Sequence, residues 1–352
     1  MRIREVEVVP YALPFREPYA TAAGRLERRE MALLRLRDED GLVGLGEAVP
    51  LSLRGGATLK QVAEELEGLG AHENLDEETL NSRQIDLSPP ARCAATTALL
   101  DLRGKRAAVG GPASSAPATP VRCNATLVAG EPAAVAAEAE RWAADGFSTF
   151  KLKLGAGDDV GQVRAVREAL GPAARIRVDA NGVWDVATAS RTLAELEPYG
   201  IELAEQPVAT IEESAELAVS TSIPLAADES VVSRPDAERA VAGGAFALTG
   251  IKLSRVGGPE AAIEIAELLP AYLTSALDGP VGIAAAAQVA TTLGEVRHGD
   301  DAPLAQGLAT QRLFASTIAS VECKLGGDRL EPPPGPGLGV EIDEDALRAH
   351  RL

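Results

Sequence analysis

Residues 147–182 read FSTFKLKLGAGDDVGQVRAVREALGPAARIRVDANG. FSTFKLKL alternates along its second half with a period of two, which predicts a strand. DVGQVRAVREALG carries apolar residues three and four apart, the period of a helix with one buried face. RIRVDA then returns to a strand. Strand, crossover helix and strand make one unit of parallel sheet. Its two strands end in charged residues, Lys153 and Asp179.

The unit repeats downstream. IELAEQP brings Glu205, PLAADES brings Asp228 and GIKLSRVGG brings Lys252, so the five charges are separated by 26, 26, 23 and 24 residues. That interval fits one strand, one helix and two short loops. In a β/α barrel the C-terminal ends of all strands open onto one face, so the five charges point to one shared site. Eight strands are expected near 121–127, 147–154, 175–180, 201–205, 223–228, 247–254, 271–276 and 306–310, with seven Ala- and Leu-rich helices between them.

The first ~115 residues lack this rhythm and read as an α+β unit. IREVEVVPYAL alternates as a strand, and MALLRLRDEDGLVGLGEAV reads as two strands turning at Asp40-Gly41. Helical patterns follow in TLKQVAEELEGLG and AARCAATTALLDLRGKRAA. Two small-residue or Gly-rich stretches, ATAAGRLERRE and AVPLSLRGGAT, are expected as loops and candidate lids, around Ala20–Arg25 and Leu51–Gly56. GGPASSAPATP at 110–120 has the composition of a linker. The expected division is a cap over 1–115, a barrel over 116–315 and a C-terminal segment over 316–352 that folds back on the cap.

The 352 residues are 46% hydrophobic but only 3% aromatic, enough for a large aliphatic core. A formal net charge of −18 argues against nucleic acid or anionic membrane as partners. Cys93, Cys123 and Cys323 form no CxxC pair, and with no apolar leader region in MRIREVEVVPYALP, a reducing cytoplasm is expected. No uncharged stretch is long enough to span a bilayer. The oligomeric state stays open, a homo-oligomer included.

Three converging carboxylates, Asp179, Glu205 and Asp228, without His or Cys make an all-oxygen site that favours Mg²⁺ or Mn²⁺ over Zn²⁺. The competing reading is that each acid caps the helix after it. Lys151 and Lys153 lie two apart on one strand and point to the same side, while Phe147, Phe150, Leu152 and Leu154 are left to pack outward. Lys252 ends the sixth strand, across the mouth from the second. One ammonium would thus approach a small carboxylate substrate from each side. A lysine works as a base near neutral pH when its pKa falls, and Lys151 is placed to do this to Lys153. Removal of a proton α to a carboxylate needs a cation on the carboxylate oxygens and a positioned base, and this chain has candidates for both.

GAG at 155–157 lacks the third glycine of a dinucleotide loop, and DANG at 179–182 fails as a calcium loop at Val183. No GxSxG or HExxH is present.

The motifs KLKLG, VDAN, EQP, ADES and IKLSRVGG together resemble the enolase superfamily, in its muconate-lactonizing-enzyme subgroup. The resemblance spans essentially the whole chain. It implies a (β/α)7β barrel, a modified TIM barrel of the α/β class, with an N-terminal α+β capping domain completed by the C-terminal segment. It also implies Asp179, Glu205 and Asp228 as Mg²⁺ ligands, Lys153 as acid/base on one face, and Lys252 on the other. The three histidines, His72, His298 and His350, end no strand of the rhythm, unlike the histidine base of the mandelate-racemase subgroup. LTSALDGPVGIAAA, with Ser275, is similar to the seventh-strand segment of o-succinylbenzoate synthases. Arg177, ALPFREPYATAAG up to Gly24, and GLGVEIDEDAL are similar too. Gly279-Pro280 departs from that pattern, where small hydroxylated residues are commoner. Asn181 is expected beside the metal ligands. The implied activity is a β-elimination of water in menaquinone synthesis. The alternatives are an N-succinylamino acid racemase, a muconate-type cycloisomerase and a barrel that only binds ligand.

Overall fold

The computed structural model describes residues 1–21, 24–52, 55–70, 75–83, 86–109, 119–296 and 303–352. The tip of the first expected lid (22–23), part of the second (53–54), most of the linker (110–118), His72 and His298 lie outside the described residues.

Strands β1 (Ile3–Thr21), β2 (Gly24–Asp38) and β3 (Val43–Ala48) form an antiparallel sheet in that order. The β2–β3 turn falls where Asp40-Gly41 predicts. Asp38 Oδ1 accepts the N–H groups of Asp40 and Leu42, and Gly41 takes φ +87°. The loop expected over 20–30 is shorter than its composition suggests. Pairing of β1 with β2 continues past a register shift to Thr21↔Gly24, so RLERRE belongs to a strand whose mostly charged residues hid its period.

Helices α1 (Leu59–Leu69), α2 (Glu77–Arg83) and α3 (Pro89–Val109) follow. β3 lies close against α3. A Cβ at Gly44 would stand 2.1 Å from the Ala98 carbonyl oxygen, and one at Gly46 1.9 Å from that of Ala94. The glycines of VGLGEA are therefore required by the approach of strand to helix.

After β4 (Val121–Arg122) the barrel alternates β5 (Ala125–Leu127), α4 (Pro132–Ala144), β6 (Thr149–Lys153), α5 (Asp159–Leu170), β7 (Arg175–Asp179), α6 (Val186–Leu196), β8 (Ile201–Glu205), α7 (Ile211–Ala218) and β9 (Leu225–Ala227). It continues with α8 (Arg234–Gly243), β10 (Leu248–Ile251), α9 (Leu253–Val256), α10 (Pro259–Ala266), β11 (Ala271–Leu273) and α11 (Pro280–Leu293). β5 to β11 form one parallel sheet in chain order.

Three expectations need correction. The first strand, expected over 121–127, is split: β4 pairs antiparallel with the C-terminal segment, and only β5 joins the barrel sheet. The sixth strand stops at Ile251, and one helical turn, α9, begins at Leu253. The eighth strand, expected over 306–310, shrinks to Gln306 and Gly307. These two bridge Cys123 on one side and Thr274 on the other, which closes the ring.

Phe150 and Leu152 face the layer between sheet and helices, in one continuous apolar core with Trp142 and Phe147. Leu203, Ala226, Leu248, Tyr272 and Leu304 form a separate cluster, the floor inside the barrel. The C-terminal segment adds β12 (Ala319–Val321), β13 (Lys324–Gly326), β14 (Arg329–Glu331), β15 (Glu341–Ile342) and α12 (Glu344–His350). It does return to the first unit, through Ala315 N–H to Pro14 O and Leu352 N–H to Pro10 O. Buried Asp101 of α3 ties the parts together by accepting from Leu45 N, Leu338 N and Lys105 Nζ.

Candidate active site

The strand register sets the site. Lys153 pairs with Asp179 and Asp179 with Glu205, so the ends of β6, β7 and β8 are level. Asp228 follows β9 immediately, and Lys252 lies between β10 and α9. The three acids are no more than 1% exposed, with Lys151 at 6% and Lys252 at 9%. Buried charges of this density persist only when paired.

The pairing is specific. Lys151 Nζ lies 2.8 Å from Asp179 Oδ2 and 2.5 Å from Glu205 Oε1. Lys153 Nζ lies 2.6 Å from the same Asp179 oxygen and 2.9 Å from Asn181 Oδ1. Lys252 Nζ bonds Asp228 Oδ2, while Arg255 Nη1 stands 3.1 Å from Asp228 Oδ1 and 3.6 Å from Glu229. Tyr272 Oη donates to the other oxygen of Glu205 at 2.6 Å.

Burial by itself would raise Asp179, but Lys151, Lys153 and Lys252 outweigh it and hold its carboxyl well below the usual range. Asp228 likewise sits at about 2, burial being overcome by Lys252 and Arg255. Burial would lower Lys151, yet Asp179, Glu205 and Asp228 raise it, so it keeps its proton as a counter-charge. Lys252 is lowered, by burial first and by Arg255 next, against the pull of Asp228. Lys151 and Lys153 are at most 5.4 Å apart, since they share Asp179 Oδ2 at 2.8 and 2.6 Å.

Among the described residues, no group of three His, Cys, Asp or Glu surrounds one point at metal-holding geometry. Lys151 stands between Asp179 and Glu205, and Lys252 and Arg255 take Asp228. The donor chemistry nevertheless fits a hard divalent cation: three buried carboxylates, oxygen only, on adjacent strand ends. Asp179, Glu205, Asp228 and Glu229 carry four formal negative charges against four positive on Lys151, Lys153, Lys252 and Arg255. A divalent cation would bring this balance to +2, suited to a dianionic substrate.

The other residues singled out from the sequence fall in different places. Asn181, at φ +51°, accepts from Lys153 and donates to Glu229, so it belongs to the cluster. Arg177 pairs with Lys151 across β6 and β7, one inward position below Asp179. It is fully buried, bonded to Glu202 and the Ala305 carbonyl, with its guanidinium 5.1 Å from the Tyr272 ring centre. The Ser275 hydroxyl is committed to a turn: it donates to Asp278 Oδ2 and accepts from Asp278 N–H. Gly24 pairs with Thr21 at the tip of the β1–β2 hairpin.

Sequence reasoning missed Tyr272, Gln206, Glu229 and Arg255. Reading IKLS as strand carried Arg255 past the site, whereas the turn α9 returns it over Lys252. Tyr272 had a usable signal, since it lies two before Thr274 on a strand whose alternate residues face inward.

Residues 134–346 match the family described as Enolase C-terminal domain-like, and residues 3–110 match the mandelate racemase / muconate lactonizing enzyme N-terminal domain. The chain belongs to the enolase superfamily. Within it, the chain is 37% identical over 238 residues to an o-succinylbenzoate synthase of Thermobifida fusca (strain YX), covering 65% of this chain and 71% of that one. It is 30% identical to muconate cycloisomerase 1 of Pseudomonas putida, over 97% of this chain and 96% of that one. The dipeptide epimerase of Enterococcus faecalis V583, solved with Mg and the dipeptide L-Leu-L-Tyr, superposes at a TM-score of 0.86 with 27% identity, over 97% of this chain and 100% of that one. Superfamily membership makes this chain an enzyme with a capping domain and a (β/α)7β barrel. These relatives are a synthase, a cycloisomerase and an epimerase, three different reactions on one fold.

Proposed function

We propose that this enzyme catalyses a Mg²⁺-dependent dehydration of the o-succinylbenzoate synthase type, on a cyclohexadiene carboxylate in the cytoplasm, as a step of menaquinone synthesis. The observation that carries its proton chemistry is the placing of Lys153 and Lys252 on the outer two of three carboxylates at successive strand ends, Asp179 and Asp228. Asp179, Glu205 and Asp228 would hold the cation. Bound there, Mg²⁺ (or Mn²⁺) supplies positive charge to stabilise an enediolate.

Lys153 takes the α-proton, and its Nζ is held for this by Asp179 and Asn181. The electron pair of the broken C–H bond forms the enediolate. Collapse of the enediolate forms the new C=C bond as the β C–O bond breaks. Lys153 returns its proton to the departing hydroxide, and water leaves. Lys252 stays cationic over the ring face. Lys151 keeps the buried acids neutralised and the lysine stems aligned. The cap over 1–115, the barrel over 116–315 and the return over 316–352 would enclose the substrate, with specificity set around Ala20–Arg25 and Leu51–Gly56.

The choice of dehydration rests on the likeness around LTSALDGPVGIAAA and the 37% identity to an o-succinylbenzoate synthase. A second reading, N-succinylamino acid racemase, is favoured by one observation: burial and Arg255 lower Lys252, which suits it to exchange protons. Turnover with Mg²⁺ should be measured on the dehydration substrate beside N-succinylamino acids. Faster dehydration is expected; racemisation alone would overturn the first reading in favour of the second.

A further inference from the structure

A second buried carboxylate, Glu47, stands where the cap meets the barrel. It is 2% exposed at the end of β3. Three donors converge on it: Tyr11 Oη of β1 at 2.9 Å, Gly279 N–H at 2.6 Å and Val281 N–H at 3.3 Å, the last two at the start of α11. Arg29 of β2 joins from the side, donating to the Pro50 carbonyl at 2.7 Å and to the Ala276 carbonyl at 3.3 Å. All three cap strands therefore grip one turn, Ser275–Val281.

The turn is shaped for this grip. A Cβ at Gly279 would lie 2.4 Å from Tyr11 Oη and 2.7 Å from Glu47 Oε2, and one at Gly282 would lie 2.8 Å from Glu47 Oε1. This gives a structural reason for Gly279 in Gly279-Pro280, where small hydroxylated residues are commoner in segments of the o-succinylbenzoate synthase type. Leu277 takes φ +67°, a strained conformation that persists only where the surroundings impose it.

We propose that Glu47 is a positioning residue: held by Tyr11, it locks the β11–α11 turn to the cap and so fixes the end of the seventh strand over the barrel mouth. The effect on catalysis rests on the function proposed above; the lock itself does not.

The chemistry of the lock is asymmetric. Three donors require a group that only accepts, which an ionised carboxylate is and a protonated carboxyl or an amide is not. Burial first and Asp278 next raise Glu47 to about 7, against the bonds from Tyr11, Gly279 and Val281. The titratable and charged groups around it are Tyr11, Arg29, Cys93 and Asp278, with Glu322 acting on Tyr11.

Hydrogen exchange of peptides covering 275–283 tests this, followed by mass spectrometry and corrected for intrinsic rates. Glu47→Gln is expected to raise exchange there about tenfold at pH 8, with peptides over 149–179 unchanged. KM should rise about fivefold with kcat within twofold. If Glu47→Gln fails to fold, Tyr11→Phe keeps the ring, removes one donor and should raise exchange at least threefold. Unchanged exchange in the folded variant, or a loosened turn with unchanged KM, overturns the proposal. A wild-type enzyme without turnover on dehydration or racemisation substrates counts against the proposed reaction instead, and exchange then decides the lock alone.

Discussion

The side-chain oxygen of Gln206 accepts the backbone N–H of Asp228 at 2.9 Å, so the residue after one proposed metal ligand holds the next ligand in place. The same oxygen accepts Ser230 N–H and Oγ–H, and Gln206 Nε2 donates to the Val208 carbonyl. Its backbone sits at φ +37°, a strained value for a residue with a side chain. Gln206→Ala leaves buried N–H groups without partners. Groups that support metal ligands typically contribute about 10- to 100-fold to affinity. Mn²⁺ binding followed by electron paramagnetic resonance should therefore weaken by at least about tenfold, and wild-type affinity would remove Gln206 from this role.

Lys153→Ala should lower turnover by about 10²–10⁴-fold, as loss of an acid/base does, while circular dichroism stays native. Retention of more than a few per cent of the activity would contradict its assignment. Exhaustive chelation should abolish turnover, and Mg²⁺ or Mn²⁺ should restore it. Activity that survives chelation would remove the proposed role of the three carboxylates.

Lys252 separates the two reactions. In D₂O, the dehydration reading expects Cα exchange through Lys153 alone, so Lys252→Arg keeps it. If exchange at Cα is lost in both Lys153→Arg and Lys252→Arg, both lysines handle protons and the racemase reading replaces dehydration.

The barrel was legible because its signal is local and repeated: a short apolar run, a charge, then a helical period, from Lys153 through Lys252. Where the signal failed, tertiary structure had overridden local pattern. Gln306-Gly307 needs only two residues because Cys123 and Thr274 supply the hydrogen bonds on either side. RLERRE was hidden because its pairing with β1 is made through the backbone, with few apolar side chains. The five charges of the site were readable because each ends a strand or directly follows one. Tyr272 and Arg255 were not, because their partners, Glu205 and Asp228, lie 67 and 27 residues away in sequence.

Asp101 tests how the C-terminal return is held. Its carboxylate accepts from β3, from Lys105 and from Leu338 with no exposure to solvent. Asp101→Ala leaves the buried N–H groups of Leu45 and Leu338 without their acceptor, a loss of about 1–3 kcal/mol for each, while Lys105 keeps the Val43 carbonyl. Urea unfolding should show a lower midpoint. A midpoint within error of wild type would mean that water or the chain replaces those bonds.

Glu47 also predicts how stability varies with pH. Its folded pKa is about 7 against an ordinary value of 4.5, chiefly because burial disfavours the ionised form. Between these values the folded state holds a proton that the unfolded chain has released. Stability from this group is therefore fully present below about pH 4.5 and declines as pH rises toward 7, after which it levels. A difference of about 2.5 units corresponds to about 3 kcal/mol across that window. Other groups add slopes of their own, Asp278 in the same direction, so the comparison is between wild type and Glu47→Gln. Unfolding free energy measured from pH 5 to pH 8 should fall more steeply in the wild type, even if the variant is less stable throughout. Parallel curves would mean that Glu47 does not change its proton in this range.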